Sequence, residues 1–464
     1  MEAGRQLVYG PTYDEMLHPE RVSGEIRRRA RRASEEDPLD PVNLFNISWR
    51  NAAGGVDYLV IDKALTGVDA NVVVLCANGF PTGSHKVGAT YAVAMERQVE
   101  GAIEPGRHRL VWPSTGNYGI GGAWVGPRMG YESLVILPEL MSRERFERIT
   151  EYGGGYIKTH GGESNVWEIY QKCIELAREP DVRVLNQFEV LANYRFHYHV
   201  TGGTVEAVVA ELAGAGIGDG RAAAFVSAMG SAGTIAAGDR LKQAFPSCRI
   251  VGLEPIQCPT LYNNGYGMHD IQGIGDKHVT WIHNCLNMDA LMCIDDVECK
   301  KGLQLLTEEG GQDYLRGEAG LPAEHVNKLS RVLGISSICN ILGAIKTAKY
   351  YGLGPGENVV TVATDGIDRY HSVMADMREQ YGVVDRSRAM AYVEGIFRGA
   401  KLDWIQEGTV QQRQRWFNLK YYTWVEQLGK SVDELDAQRE AGWWLAEQQK
   451  VAEYDALVRE RRGF

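Results

Sequence analysis

The feature that most constrains this chain is an alternation. From Asn71 onward the short apolar runs NVVVLC, RLVW, ESLVILP, YIKT, VRVL, AAAFVSA, RIVGLEP and ENVVTVAT recur, most of them followed by a longer stretch with helical spacing. Short runs with apolar residues at consecutive positions suit strands buried on both faces. Strands joined through helices predict an α/β fold with parallel sheets flanked by helices. Such folds collect their ligands at the carboxyl ends of the strands. There the chain places three small-residue turns, TGSHK, STGNYG and GSAGT. The 54 glycines, against about 32 at average usage, fit loops that bring backbone close to a ligand.

Composition excludes several classes. A net charge of -11 argues against broad binding to nucleic acid or anionic lipid. The one basic cluster, Arg27, Arg28, Arg29, Arg31 and Arg32, is followed at once by Glu35, Glu36 and Asp37 and reads as a solvated helix face. Eight cysteines without a CxxC pair suggest reduced thiols, neither a disulfide framework nor a zinc site. No apolar run reaches the roughly 18 residues of a membrane helix, and no signal-peptide core is visible. A cytoplasmic protein is expected.

Each turn suggests a chemistry. In Pro81-Thr82-Gly83-Ser84-His85-Lys86-Val87-Gly88 a lysine opens a helical segment. A helix N-terminus and an apolar surround both disfavour its ammonium, which lowers its pKa and frees an amine nucleophile. Ser114-Thr115-Gly116-Asn117-Tyr118-Gly119 follows a strand with hydroxyls, an amide and free helix N–H groups, a set suited to a carboxylate and a phenolic oxygen. Gly230-Ser231-Ala232-Gly233-Thr234 is again strand, turn and helix, the arrangement that cradles a phosphate. Taken alone, the first two read sooner as ordinary capped turns, and the third reads as well that way.

Together and in this order the three loops resemble those of the fold type II pyridoxal-phosphate enzymes, within them the cysteine synthase and cystathionine β-synthase group. Pro138-Glu139-Leu140-Met141-Ser142, Asn186-Gln187-Phe188 with Asn193, Gln272-Gly273-Ile274-Gly275 and Gly334-Ile335-Ser336-Ser337 extend the match over roughly residues 71–372. The resemblance implies a two-lobed, usually dimeric enzyme with pyridoxal 5'-phosphate between the lobes. On that basis residues 1–50 are expected to be a lead segment, 51–203 a smaller lobe carrying the lysine and asparagine loops, and 204–378 a larger lobe with the phosphate loop. Residues 379–464 would form a helical extension holding five of the ten tryptophans, packed on the body or on a second subunit.

The resemblance also implies roles. Lys86 would form the internal aldimine and later take the Cα proton, and Asn117 would contact the cofactor's 3′ oxygen. Gly230, Ser231, Ala232, Gly233 and Thr234 would bind its phosphate. Ser336, or its neighbour Ser337, would face the pyridine nitrogen, where a neutral hydroxyl favours loss of a β-substituent over transamination. Ser114, Thr115, Gly116, Tyr118, Gln187 and Gly273 would surround the substrate. Tyr118 and His85 depart from the group's usual residues, and Pro41-Val42-Asn43-Leu44 is a poor match to its first strand.

The expected activity is β-replacement on O-acetylserine, phosphoserine, serine or cysteine through an external aldimine and aminoacrylate. The alternative is β-elimination to pyruvate or another keto acid and ammonia. A dehydratase or ammonia-lyase would further need an acid to protonate a poor leaving group, and no motif supplies one.

Overall fold

The computed structural model describes residues 9–462. Eleven strands build two sheets: β1 (Tyr58–Ile61), β2 (Asn71–Cys76), β3 (Arg109–Pro113), β4 (Glu132–Pro138), β5 (Gly155–Thr159), β6 (Val182–Val184), β7 (Ala222–Ala228), β8 (Arg249–Pro255), β9 (Ala290–Ile294), β10 (Asn358–Ala363) and β11 (Ile405–Glu407). The larger sheet has the order β1-β2-β10-β7-β8-β9-β11 and the smaller β5-β4-β3-β6. The small sheet is wholly parallel. In the large one the edge strands β1 and β11 run antiparallel.

Each of the eight apolar runs forms a strand. β10 is buried at all six positions and β2 at five of six, as strands covered by helices on both faces must be. The helices Lys86–Val99 and Ile335–Tyr351 run through the interior, so that nearly every residue of the first is buried. Both begin at the carboxyl end of the large sheet's domain, where the crevice lies.

Two expectations about boundaries change. Residues 51–203 supply strands to both sheets, because β1 and β2 pair with β10 of the large sheet. The 203/204 division therefore does not separate the sheets. The N-terminal segment is built into the core: Tyr13 is fully buried, its hydroxyl donates to Glu96 Oε1 at 2.7 Å, and its amide donates to Asp455 Oδ1 at 2.7 Å.

The C-terminal extension is largely helical but also contributes β11 to the sheet. Its tryptophans pack on the chain's own body. Trp416 and Trp424 are fully buried, and the Trp424 indole donates to Val279 O at 2.8 Å. Trp444 packs against Tyr194 with ring centroids 5.1 Å apart. The basic cluster lies on the helix Gly24–Glu36, whose buried residues are Ala30 and Ala33, and its arginines are largely exposed. All eight cysteines are buried free thiols. Among the described residues no helix is long and apolar enough to cross a membrane.

Candidate active site

Lys86 is the first residue of its helix and 9% exposed, and its Nζ donates to Ser231 Oγ at 3.0 Å. The lysine turn and the phosphate-type turn, 145 residues apart, therefore meet. Burial lowers the Lys86 pKa to about 8, against the pull of Asp276 in the other direction. The amine is thus poised between its charged and nucleophilic forms near neutral pH.

Ser231 Oγ also accepts from Asn193 Nδ2 at 3.0 Å and from Gly233 N at 3.3 Å. Three donors converge on a hydroxyl with two lone pairs, a set that an anionic oxygen would satisfy better. The turn has the shape for one. Ala232 adopts φ +58, the left-handed conformation that side chains rarely take and that folds successive amides into an anion nest. A Cβ on Gly230 would fall 2.8 Å from Gly273 O, so only glycine fits there. Lys86, Gly230, Ala232, Gly233, Thr234 and Gly273 line one small cavity.

His85 supports this turn. Its Nε2 is 3.1 Å from Thr234 Oγ1, and its ring stacks on Trp49. Complete burial and the nearby Lys86 charge hold its pKa well below the usual histidine range, so it is neutral. The histidine before the lysine thus orients a phosphate-loop hydroxyl.

The adjacent serines divide their work. Ser337 Oγ accepts from Gly334 N at 3.2 Å and donates to Asp365 O at 3.3 Å, closing the helix start. Ser336 Oγ is buried without a partner, and Asn340, one turn further along the helix, lines the Lys86 cavity. Of the pair, Ser336 is the hydroxyl left free for a ligand atom such as the cofactor's ring nitrogen. Asn117 is similar: its Nδ2 donates to Asp365 Oδ2 at 2.6 Å, and its Oδ1 is buried and unpartnered. Orphaned Ser336 and Asn117 atoms, the lysine and the anion nest together fit pyridoxal phosphate.

The asparagine loop is held from within. Ser114 Oγ accepts from Gly116 N at 2.9 Å and Gly119 N at 2.8 Å. Gln187, expected beside the substrate, donates to Pro113 O at 3.3 Å at the end of β3. Tyr118 departs from expectation: its hydroxyl donates to Leu185 O at 2.9 Å and its ring packs edge-on against Trp112. The phenol fills space between β3 and its helix and does not present its hydroxyl to a substrate.

Behind the loop lies a charged cluster that no motif announced. A Cβ on Gly116 would sit 1.4 Å from Arg145 Nη1, so the guanidinium presses directly on the loop backbone. Arg145 is fully buried and donates to Gln272 Oε1 at 3.1 Å and to the Tyr370 hydroxyl at 3.0 Å. Its carboxylate is Asp365, at 4.0 Å, which also lies 3.7 Å from Arg369 Nε. Two further acids, Glu163 and Asp276, are buried beside Thr115 and Lys86. The segments carrying them adjoin quoted motifs, which is the only sequence signal they leave.

The comparisons agree with this geometry. Residues 61–314 match the family model described as "Pyridoxal-phosphate dependent enzyme". A cysteine synthase of Staphylococcus aureus is 30% identical over 321 residues, covering 69% of this chain and 93% of its own. The probable cysteine synthase of Bacillus subtilis is 29% identical over 294 residues, 63% of this chain and 85% of its own. An O-acetylserine dependent cystathionine β-synthase from Helicobacter pylori superposes with a TM-score of 0.56 at 25% identity, over 68% of this chain and 94% of that one. A buried lysine beside an anion nest, two free polar atoms on neighbouring elements and a family model that matches more than half of the chain place this chain in the pyridoxal-phosphate dependent enzyme family.

Proposed function

We propose that this enzyme replaces the β-substituent of a serine-type L-amino acid, with release as a keto acid and ammonia the alternative fate. The observation that carries the reading is the buried Lys86 amine 3.0 Å from the Ser231 hydroxyl, in a cavity lined by the 230–234 turn and by Asn340, one helical turn from the unpartnered Ser336 hydroxyl. Similarity to cysteine synthases and to an O-acetylserine dependent enzyme supports O-acetylserine, phosphoserine, serine and cysteine as the candidate substrates.

When bound, pyridoxal phosphate supplies the electron sink that makes the Cα proton acidic and the β-substituent labile. The chain does the rest. Lys86, once displaced by the incoming amino group, is the base that takes the Cα proton, and its lowered pKa leaves a useful fraction as free amine. Residues 230–234 would anchor the phosphate, with backbone amides and the Ser231 and Thr234 hydroxyls as its donors. Ser336 offers the ring nitrogen a neutral hydroxyl, which withholds the charge that transamination would need. Thr115, Gly116, Gln187 and Gly273 surround the substrate carboxylate, with Ser114 fixing the turn. Whether replacement or elimination wins depends on how well the closed cleft shelters the product of β-substituent loss from water.

A spectral titration with O-acetylserine, serine, cysteine and phosphoserine tests this, with pyruvate assayed in parallel. A stable red-shifted band without pyruvate is expected of a replacement enzyme. Rapid pyruvate formation would make it a lyase, and no spectral response to any of the four would overturn the proposal.

A further inference from the structure

Two carboxyls in the cleft have no part in that account. Glu163 follows Gly161-Gly162 after β5, and Asp276 follows the Gln272–Gly275 motif; they are 1% and 6% exposed. Neither Glu163 oxygen, nor Asp276 Oδ2, has a hydrogen-bond partner of ordinary geometry. Buried polar atoms are nearly always satisfied, so oxygens this poorly partnered, on Asp276 in a cavity with Gly230 and Ala232 and on Glu163 near Thr115 and Gly273, leave room for a ligand's polar atom. Glu163 lies close to the Thr115 hydroxyl and the Gly273 amide, two groups placed around the substrate. Asp276 lies where its charge is felt by both Lys86 and Glu163.

Resting on the function proposed above, we infer that Glu163 and Asp276 are the proton donors that expel a β-hydroxyl as water, making unesterified serine a substrate. Hydroxide is a poor leaving group, and an acid within reach of the β-oxygen is what β-loss from serine needs.

Their surroundings favour the protonated form of these acids. Burial raises Glu163 to about 8, and Asp276 adds to the rise. Arg145 pulls the other way, but its hydrogen bonds go to Gln272 and Tyr370 and its ion pair to Asp365. Burial raises Asp276 to about 7, with Lys86 opposing. Lys277, the next residue, is exposed with its Nζ over the Tyr266 ring, and of the other groups that feel or line the space around Asp276, burial pushes Tyr170 and Cys258 upward and His278 and His283 down to about 4 and 3. Glu254, in the same cavity as Asp276, is already bonded to the Leu261 and Tyr262 amides.

The step balances without a further reactant. The Lys86 amine takes the Cα proton and leaves the bonding pair on the substrate. The Cβ–O bond breaks with its electrons going to oxygen, and that oxygen takes the carboxyl proton and departs as water. The Lys86 ammonium then returns a proton to the carboxylate, so the enzyme ends as it began.

The test compares kcat/KM for serine and O-acetylserine as a ratio across pH, which cancels the Lys86 ionisation common to both. The ratio is expected to fall as pH rises through 7 to 8, and Glu163→Gln and Asp276→Asn to lower it about 100-fold while the protein keeps its cofactor colour. Independently of turnover, the substrate-free protein at neutral pH should show an infrared carbonyl band of a protonated carboxyl that diminishes in each variant. Turnover of O-acetylserine without serine, or a ratio flat with pH and unmoved in both variants, would overturn the inference. Failure on both substrates would instead overturn the function on which it rests.

Discussion

The two walls of the cleft are built differently. The cofactor wall consists of Lys86, residues 230–234 and Ser336, one amine among hydroxyls and main-chain amides; strand, turn and helix deliver the first two, and the start of the helix Ile335–Tyr351 delivers the third. The substrate wall consists of Arg145, Glu163, Asp365 and Tyr370, charged or polar groups brought singly from separate segments and buried, while Asp276 shares a cavity with Gly230 and Ala232 and so borders the cofactor wall. The first wall is suited to hold one invariant cofactor. The second is suited to choose among substrates, because buried charge discriminates steeply between neutral, cationic and anionic groups.

The comparison can be broken at either wall. The largest effect belongs to Lys86→Ala, which should abolish the visible absorbance of the loaded enzyme and lower turnover by about 1,000-fold or more. Retention of both would show that another amine does the work.

The extension supports the cofactor wall from behind. Trp424 packs on Trp281 and bonds to Val279, Lys420 Nζ donates to Trp281 O and His283 O, and the neighbouring Thr280 hydroxyl donates to Ser231 O at 2.9 Å. Trp424→Ala empties a fully buried site and should cost about 3–5 kcal/mol, read as a lowered Tm and weaker cofactor retention. An unchanged Tm would mean that the extension is not coupled to the core.

On the substrate wall, Gly116→Ala forces a methyl into the Arg145 guanidinium. A strain of about 1–3 kcal/mol is expected, seen as a raised KM with cofactor absorbance retained. Loss of the cofactor instead would mean that the walls are not separable. The smallest effect is that of Thr234→Val, which removes the hydroxyl that His85 orients and, on the proposed function, one phosphate contact. A loss of about 0.5–1.5 kcal/mol in cofactor affinity is expected by titration.

The pH dependence of Cα chemistry sharpens the same contrast. Burial lowers Lys86 to about 8, so the amine is mostly protonated below that pH and mostly free above it. Exchange of the substrate Cα proton with deuterium should rise with pH through about 8. The acids opposite act in the reverse sense, supplying protons below 7 to 8 and losing them above.

The walls also differ in how far the sequence discloses them. Most strands buried on both faces announce themselves as apolar runs, and turns at the ends of two of them carry the motifs that single out Lys86 and residues 230–234, whereas Ser336 follows a helix and is named by the resemblance alone. The edge strands β1 and β11 are not among these runs, being short and only partly buried, and neither is β9, although it is buried at all five positions; β1 and β2 return to the large sheet through pairings that no local pattern encodes. Glu163 and Asp276 are single acids in polar stretches; only burial sets them apart, and burial is a property of the fold. Tyr118 shows the converse, a residue inside a motif whose side chain serves packing.

Borohydride reduction followed by peptide mass mapping tests the central claim most directly. Three lysines, Lys86, Lys346 and Lys420, are buried with lowered pKa values, but Lys346 donates to Cys293 O and Lys420 donates to two carbonyls and the Gln438 amide oxygen. The cofactor-derived mass should therefore appear on the peptide containing Lys86. Its appearance on Lys346 or Lys420, or on no lysine at all, would contradict the account.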